Sequence, residues 1–224
     1  MNVELISYTA DPVKVIETAA STCYDSEPTE GKIMKHCYNS GHHSVLEFAE
    51  FTFKISGVSR ALTHQLVRHR LASFAQRSQR YCKENRFDYV IPNSILRDPE
   101  LLRQYKEFMI KTDALYKKLI ESGINAEDAR YVLPNACATE ICVKMDLREL
   151  IHFCNERLCT CAQWEIRMLA QQMKNAVEKV SPDCAKYLVP KCEKHSPYNF
   201  CTETKKRSCG RHKVISEIIN KENN

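Results

Sequence analysis

The amino-acid sequence predicts an α+β fold with a mainly antiparallel sheet flanked by helices. Apolar and polar residues alternate in 3–9, 51–55 and 141–145 with the period of half-buried strands. Residues 98–123 and 164–180 instead carry apolar stripes at helical spacing. A composition that is 43% hydrophobic and 27% charged is ordinary for a globular domain, so a sizeable core is expected.

Cap and turn residues define the first elements. Asp11 and Pro12 offer a helix cap and a first-turn proline directly after the first strand. A second short helix is expected over 30–38, and it should end at Asn39-Ser40-Gly41. Gly57 is expected to end the second strand.

Beyond Gly57 the spacing becomes that of a helix. This helix is expected to begin at Val58 and to reach His69, because the apolar residues of the segment recur on one helical face. It would hold Gln65 and Arg68 near its C-terminal end. The residues of the apolar face are Val58, Ala61, Leu62, Leu66 and His69.

The second half of the chain is expected to be mostly helical. Its clearest element begins at Asp98-Pro99, is amphipathic throughout and ends at Gly123. Trp164 begins a later amphipathic helix and is interpreted as a packing anchor. In chain order the predicted elements are the helix 98–123, the turn 126–130, the strand 141–145 and the helices 147–155 and 164–180.

The one domain boundary that the sequence suggests lies near Pro190. Residues 1–189 should form one domain and 190–224 a Cys/Lys-rich extension. From residue 188 to the end, eight Lys/Arg and four Asp/Glu give 8 − 4 = +4 of the net charge of +5. Without a basic leader or a long apolar segment, we expect a cytoplasmic protein that does not span a membrane. The twelve cysteines then indicate reduced thiols.

The most unusual segment is basic: it has seven Lys/Arg and no Asp/Glu between Phe51 and Lys83. Cations this close together repel one another and destabilise the folded state unless an anion binds to them. The guanidinium groups and Ser78 within 65–81 have a spacing that a helix end and an extended turn could bring around one phosphate. Taken alone, the window is better explained as a solvated basic face, which is the commoner case. The seven cations are Lys54, Arg60, Arg68, Arg70, Arg77, Arg80 and Lys83.

Familiar phosphate and nucleophile motifs are absent from the sequence. The chain has five glycines, and it contains neither a Gly-x-x-x-x-Gly-Lys-Ser/Thr loop nor a Gly-x-Gly-x-x-Gly fingerprint. Ser73 and Ser78 lie in no Gly-x-Ser-x-Gly turn, so both are interpreted as hydrogen-bond donors. Because the charge excess lies in the tail, a local anion site is favoured over a nucleic-acid surface.

Five ordered blocks resemble the flavin-dependent thymidylate synthase family. Arg68-His69-Arg70, seven intervening residues and Ser78 are similar to the signature of that family. Together the blocks span about residues 5 to 185 and are far more specific than the basic window alone. The resemblance implies the fold of that family, with 1–189 as its catalytic domain. The other four blocks are 42–48, 129–134, 147–153 and 157–167.

The resemblance implies a reductive methylation. dUMP would accept a one-carbon unit from 5,10-methylenetetrahydrofolate, and FAD reduced by NADPH would supply the hydride. Arg157 would be catalytic, because an arginine at the pyrimidine edge stabilises negative charge on the ring. The implied FAD residues are Ser44, Glu47, Arg68, His69, Arg70, Gln76, Asp146, Arg148 and His152. The implied dUMP residues are Gln65, Arg68, Gln76, Ser78, Gln79, Arg80, Arg130 and Arg157.

The same resemblance implies a homotetramer whose active sites combine residues of several subunits, with no nucleic-acid or membrane partner and no metal. Two positions depart from the family pattern. Asp146 stands where members often have Asn, and its carboxylate would repel a flavin diphosphate unless it points away or pairs with Arg148. Gln76 stands where some members carry Glu, and it still offers a donor and an acceptor.

The tail leaves alternatives open. Four of its cysteines could bind zinc, but without a Cys-x-x-Cys pair reduced packing cysteines are favoured. Lys205-Lys206-Arg207 is either a solvated run or a contact for a folate polyglutamate. Two other functions therefore remain: a nucleic-acid-binding module that uses 68–80, and a zinc-binding interaction protein. The four cysteines are Cys184, Cys192, Cys201 and Cys209. Cys159 and Cys161 are interpreted as small packing groups.

Overall fold

The computed structural model describes residues 1–23, 25–84 and 87–222, without the side chains of 220–222. The last two residues of the predicted 190–224 extension therefore lie outside the described residues. The strands are β1 (Asn2–Tyr8), β2 (Glu50–Ser59), β3 (Ser73–Gln76) and β4 (Ala138–Asp146). The helices are α1 (Pro12–Thr22), α2 (Lys32–Asn39), α3 (Arg60–Leu66), α4 (Asn93–Leu96), α5 (Pro99–Glu121), α6 (Ala126–Ala129), α7 (Leu147–Arg157), α8 (Trp164–Val180), α9 (Pro182–Ala185) and α10 (Ile215–Glu222). Short 3-10 helices cover His43–Phe48, Arg130–Val132 and Lys191–Glu193.

The four strands form one antiparallel sheet in the order β1-β2-β4-β3. This sheet and its helices confirm the predicted α+β class. Three of the strands coincide with the alternating segments of the sequence. β3 was not predicted, because its four residues are too few to show a period.

The contacts within the chain divide it into two units. The first unit is Met1–Asn2, Ile55–Val67 and Phe74–Cys142, and the second is Val3–Lys54, Arg68–Ser73 and Val143–Asn224. The division falls within all four strands. The domain boundary expected near Pro190 stays a prediction.

The first unit contains α5, whose predicted cap is confirmed. The Asp98 carboxylate accepts hydrogen bonds from the backbone N–H groups of Glu100 and Leu101, both at 3.0 Å, so it satisfies two free donors of the first turn. The apolar stripe of α5 places Met109 and Tyr116 in the core. Burying such side chains stabilises the fold by about 1.5–3 kcal/mol each. Met109 belongs to a cluster with Phe87 and Cys137.

The second unit is built on α7 and α8, which pack against each other. The inward faces of the two helices carry fully buried apolar residues, among them Leu150, Phe153, Leu169 and Met173. α7 also packs on the 3-10 helix His43–Phe48. Predicted site residues lie at both ends of α7, with Asp146 and Arg148 at its start and Arg157 at its end.

Two predictions around Gly57 were wrong. β2 continues through Gly57, which adopts φ 65°, to Ser59. The left-handed φ suits a residue without a side chain, so glycine carries the strand onward here. Helix α3 begins only at Arg60, because the Ser59 hydroxyl caps it by accepting from the N–H of Leu62 at 3.0 Å.

The C-terminal end of the same helix was also predicted wrongly. α3 ends at Leu66, so Arg68 and His69 do not lie on it. They belong to the 68–73 segment of the second unit, whereas Gln65 lies in the first unit. His69 fits the helical spacing only by chance, since it is buried within the second unit and not against the apolar face of α3.

Other features follow the sequence. All twelve cysteines are free thiols. Cys184 is fully buried, and burial raises the pKa of its thiol to about 11. In the part of the chain that the structure describes, no helix is both long enough and apolar enough to cross a membrane.

Candidate active site

In the first unit, two predicted dUMP arginines meet at Glu127 of α6. Arg80 Nε donates to the Glu127 carboxylate at 3.1 Å, and Arg130 Nε donates to the Glu127 backbone carbonyl at 3.0 Å. Arg80 also follows Ser78 closely, because the Arg80 N–H donates to the Ser78 hydroxyl oxygen at 3.1 Å. Glu127 thus bonds to both guanidinium groups, a role that was not predicted from the sequence.

The three predicted glutamines of the first unit are held by the protein itself. Gln76 donates from Nε2 to Thr63 Oγ1 at 3.0 Å and to Thr139 Oγ1 at 3.4 Å. Gln79 is buried and donates to the Cys137 sulfur at 3.6 Å. The remaining one, Gln65, donates weakly at 3.4 Å to a carbonyl of its own helix. Their roles in dUMP binding stay predictions.

A cavity of about 220 Å³ lies beside these residues within the first unit. Gln79 and Arg130 line it, as predicted dUMP residues should. Arg60 and His64 of α3 also line it, although the sequence analysis assigned them no role. Arg60 and His64 lie four residues apart, on one face of the helix that precedes the signature, and this spacing could have indicated them. Because the predicted helix extended to His69, it did not single out these two residues.

In the second unit, five predicted FAD residues line one cavity of about 530 Å³, which we call the basic cavity. Two lysines of the tail, Lys191 and Lys194, line it too, together with Tyr38 and His43. The rings of Tyr38 and His43 are stacked, with centroids 5.3 Å apart. The five predicted residues are Arg68, His69, Arg70, Arg148 and His152.

A chain of polar contacts joins Glu149 and His69, which line the basic cavity, to Arg157, which does not line it. Arg157 Nε donates to His69 Nε2 at 3.1 Å. The opposite ring nitrogen, Nδ1, lies 3.1 Å from a Glu149 carboxylate oxygen. Both His69 and Glu149 are almost wholly buried. Because Nε2 accepts from Arg157, the proton of a neutral His69 must be on Nδ1, where it is donated to Glu149.

This contact fixes the direction of Arg157 while leaving its terminal NH₂ groups for another partner. It also bears on metal binding. His69, Glu149 and His152 have ligand atoms within 4.8 Å of one another. A metal is disfavoured there, because both ring nitrogens of His69 are already engaged.

Three other predicted FAD residues of the second unit do not line the basic cavity. Ser44 is exposed on its 3-10 helix. Glu47 forms an ion pair with Arg148 at 2.5 Å. Asp146 caps α7 by accepting from the N–H of Glu149 at 2.8 Å. Of the two alternatives for Asp146, the pair with Arg148 is not formed, since Arg148 is bonded to Glu47.

The Asp146 carboxyl has a raised pKa. Burial is the largest cause, and the nearby Glu47 and Glu149 add to it, whereas the capped N–H group and Arg148 oppose it. The capping contact turns this carboxylate toward its own helix. The repulsion that the sequence suggested between Asp146 and a diphosphate is therefore reduced, and its FAD contact stays a prediction.

The idea that the basic window lacks any counter-charge is wrong for two of its cations. Arg77 pairs with Glu84 at 3.3 Å, and Arg80 pairs with Glu127 at 3.1 Å. Among the described side chains, by contrast, Arg68 and Arg70 form no ion pair, and both are exposed.

Comparison with known proteins identifies the family of this chain. Residues 4–183 match the family model described as "Thymidylate synthase complementing protein". Relatives named "Flavin-dependent thymidylate synthase" come from Clostridium tetani (41% identical, covering 86% of this chain and 88% of that protein), Nitratidesulfovibrio vulgaris (39%, covering 94% of each) and Pyrococcus horikoshii (47%, covering 80% of each).

A match of this extent is decisive for the family, because it covers all five blocks on which the resemblance was based. The chain belongs to the flavin-dependent thymidylate synthase family, which is a family of enzymes.

Proposed function

We propose that this chain catalyses the reductive methylation of dUMP to dTMP, with 5,10-methylenetetrahydrofolate as one-carbon donor and with FAD and NADPH as reductants. The observation that carries the proposal is the Glu149–His69–Arg157 contact within a member of this family. It explains why a buried histidine and a buried acid lie behind the arginine that is predicted to be catalytic.

Arg157 would act on the uracil ring. C5 of uracil is a weak carbon nucleophile, and it gains electron density as negative charge develops on the ring. A guanidinium group is always charged and has a planar fork of donors, so it stabilises that charge without giving up a proton. Held through Nε, Arg157 needs little reorientation when the substrate binds, which lowers the entropic cost of the step.

The residues of the basic cavity fit FAD by their donor set. FAD carries a diphosphate, and Arg68, Arg70 and Arg148 offer planar donors suited to phosphate oxygens. Lys191 and Lys194 add positive charge at the same cavity. When bound, reduced FAD would supply the hydride that completes the methyl group. The protein residues orient it and exclude water.

The dUMP phosphate would bind to the arginines at Glu127. Arg80 and Arg130 converge there, and Ser78 keeps a hydroxyl hydrogen free to donate. Since the predicted dUMP residues are distributed over both units, we propose that sites are completed in a homotetramer. NADPH, the folate and a cytoplasmic location belong to the same proposal.

The test is tritium release from 5-labelled dUMP in the presence of the folate, FAD and NADPH. We expect release with the wild type and a loss of at least about a hundredfold in Arg157→Ala, the effect of removing one transition-state charge donor. Arg103→Ala is the matched control, because Arg103 is an exposed arginine bonded to two glutamates of α5. Equal release from wild type and Arg157→Ala would refute the role of Arg157, and no release from the wild type would refute the reaction.

A further inference from the structure

Another cavity of the second unit adjoins the basic cavity. Its volume is about 630 Å³, which lies within the range of small-molecule sites. Tyr38 and Lys194 line both cavities, so a ligand longer than the basic cavity can extend from one into the other. We call the new one the lysine cavity, because four lysines line it. They are Lys32, Lys35, Lys186 and Lys194.

Three lysines of the lysine cavity have no acid partner. Lys32, Lys35 and Lys194 are exposed, and none of them forms an ion pair with a described side chain. Like charges at one cavity repel one another unless an anion binds there. In the basic run 205–207 of the tail, by contrast, two of the three cations form ion pairs. The lysine cavity therefore offers more free positive charge than the run that the sequence analysis singled out.

The acids of the lysine cavity do not cancel this charge. Asp183 bonds to Lys186 at 2.5 Å, and Glu193 bonds to Arg211 at 3.0 Å, so both carboxylates already have a cation. Glu30 is the one other acid that lines the cavity, and it forms no ion pair with a described side chain. Three unpaired lysines against one unpaired acid give 3 − 1 = +2. The cavity is therefore suited to an anion with more than one negative charge.

Aromatic rings link the two cavities. The ring of Tyr38 contacts the ring of Tyr187, which lines the lysine cavity, with centroids 4.3 Å apart. It also stacks on the ring of His43, which lines the basic cavity, with centroids 5.3 Å apart. Rings of this kind offer flat apolar surfaces to an aromatic part of a ligand. A ligand that passes from one cavity to the other would therefore meet aromatic groups on its way.

Among the molecules of the proposed reaction, the folate has the composition that fits this arrangement. Its pteridine end carries the one-carbon unit, so that end must lie close to the flavin and the uracil during transfer. Its middle is an aromatic aminobenzoyl group, and its other end is a glutamate. Each further γ-linked glutamate adds one carboxylate. A folate with several glutamates is thus aromatic where Tyr38 lies and polyanionic where the free lysines lie.

We propose that the lysine cavity binds the glutamate chain of a folate polyglutamate. Lys194 lies where the two cavities adjoin, and Lys32 and Lys35 of α2 bind carboxylates further along the chain. A lysine ammonium is a point charge on a flexible stem, so it follows a flexible polyanion without a fixed geometry. Each exposed pair contributes little, and several are needed for a preference. The inference rests on the proposed methylation, because that reaction brings the folate to this chain.

The first test compares the monoglutamate and the tetraglutamate of 5,10-methylenetetrahydrofolate in tritium release from 5-labelled dUMP. We expect the wild-type KM to be about fivefold lower for the tetraglutamate, and Lys32→Ala with Lys35→Ala should reduce this ratio to below about twofold. The KM for the monoglutamate should not change. Lys106→Ala with Lys111→Ala is the matched control, because it removes two exposed lysines of α5, and it should keep the wild-type ratio.

Three results would overturn the proposal and leave the methylation intact. The first is tritium release by the wild type with equal KM values for the two folates. The second is a Lys32→Ala, Lys35→Ala variant that keeps the wild-type ratio. The third is a loss of FAD affinity in that variant, measured by quenching of flavin fluorescence, because it would show that the lysine cavity holds part of FAD.

A second test needs no turnover, so it also applies if the methylation is refuted. Equilibrium dialysis of the FAD-loaded wild-type chain compares labelled tetrahydrofolate with one and with four glutamates. We expect about fivefold tighter binding of the tetraglutamate, and the difference should shrink as the salt concentration rises, because exposed charges are screened. This preference without tritium release would support the binding site and refute the reaction. Equal binding, or no binding of either folate, would overturn the proposal.

Discussion

Two pairs of arginines in one basic segment have opposite environments. Arg77 and Arg80, in the first unit, each pair with a carboxylate of their own unit, Glu84 or Glu127. Arg68 and Arg70, in the second unit, are exposed, form no ion pair with the described side chains and line the basic cavity. The four lie within thirteen positions of one another, yet of these four only Arg68 and Arg70 have no carboxylate partner among the described side chains.

A run of like charges in a sequence therefore does not measure the charge available to a ligand. Glu127 lies 47 residues from Arg80 along the chain. No local count could include it, because the fold alone brings α6 to that arginine. Arg68 and Arg70, which form no ion pair with the described side chains, belong to the Arg68-His69-Arg70 block, and the motif of that block indicated the family whereas the charge total did not.

The largest effect is expected from removing the unpaired arginines. Arg68→Ala with Arg70→Ala should weaken FAD binding by at least about a hundredfold, because each hydrogen bond to a charged group contributes about 1.5–3 kcal/mol. Quenching of flavin fluorescence during titration measures the affinity. Arg103→Ala, on α5, should bind FAD as the wild type does.

If the double variant binds FAD normally, the basic cavity is not the FAD site. Salt concentration gives a second test of whether Arg68 and Arg70 bind FAD, since exposed and unpaired charges are screened more than buried pairs. FAD affinity should therefore fall with salt in the wild type, and the fall should be weaker in the double variant.

The sequence predicted most of the fold because its long elements have clear periods and caps. β1, α5 and α8 were recognised from alternation, stripes and first-turn residues such as Asp98-Pro99. α3 was overextended, since a buried strand end at Val58 and a buried His69 both fit a helical period by chance. β3 is too short to give any periodic signal.

For the site, the structure brings five motif residues of the second unit together around one cavity, and their binding of FAD stays a prediction. The contacts of Glu127 and Glu149 with site residues were not predicted. Glu149 is separated from His69 by 80 residues, and a Glu within an apolar helix pattern looks like a surface residue. Its burial and its role follow from the packing of α7, which sequence periodicity cannot assign to a particular partner.

The next effect tests Glu149 as a positioning residue. Glu149→Gln keeps an acceptor for His69 but removes the charge, so Arg157 should be held less firmly in the orientation that the reaction needs. We expect kcat to fall about tenfold with the KM for dUMP little changed. Steady-state kinetics separates the two parameters, and thermal unfolding checks that the variant is folded.

Glu178→Gln is the control for this variant, because it removes an exposed carboxylate from the neighbouring helix α8. It should leave both parameters as they are. A rise in KM without a fall in kcat in Glu149→Gln would show that Glu149 supports binding and does not position Arg157.

A smaller effect distinguishes the two paired arginines. The Glu84 side chain is only 9% exposed, whereas that of Glu127 is 47% exposed. Glu84→Gln should lower the free energy of unfolding by about 1–3 kcal/mol, because it removes the charge of a mostly buried carboxylate from its ion pair with Arg77. Glu127→Gln should lower it by no more than about 1 kcal/mol, as is usual for surface pairs. Urea denaturation measures both values, and equal losses would contradict the ranking.

The smallest effect concerns Arg148, which combines both kinds of environment. It lines the basic cavity, as Arg68 and Arg70 do, but it pairs with Glu47, and both side chains are 47% exposed. Such a pair contributes about 0–1 kcal/mol, so Glu47 competes only weakly for the guanidinium group. Glu47→Gln should therefore tighten FAD binding by about two- to threefold, because it frees a donor and removes a negative charge. Fluorescence titrations measure the affinity. Weaker FAD binding in Glu47→Gln would instead mean that Glu47 itself contacts the flavin, as the family resemblance implies. It would also mean that the ion pair with Glu47 orients Arg148 for FAD and does not compete with FAD for it.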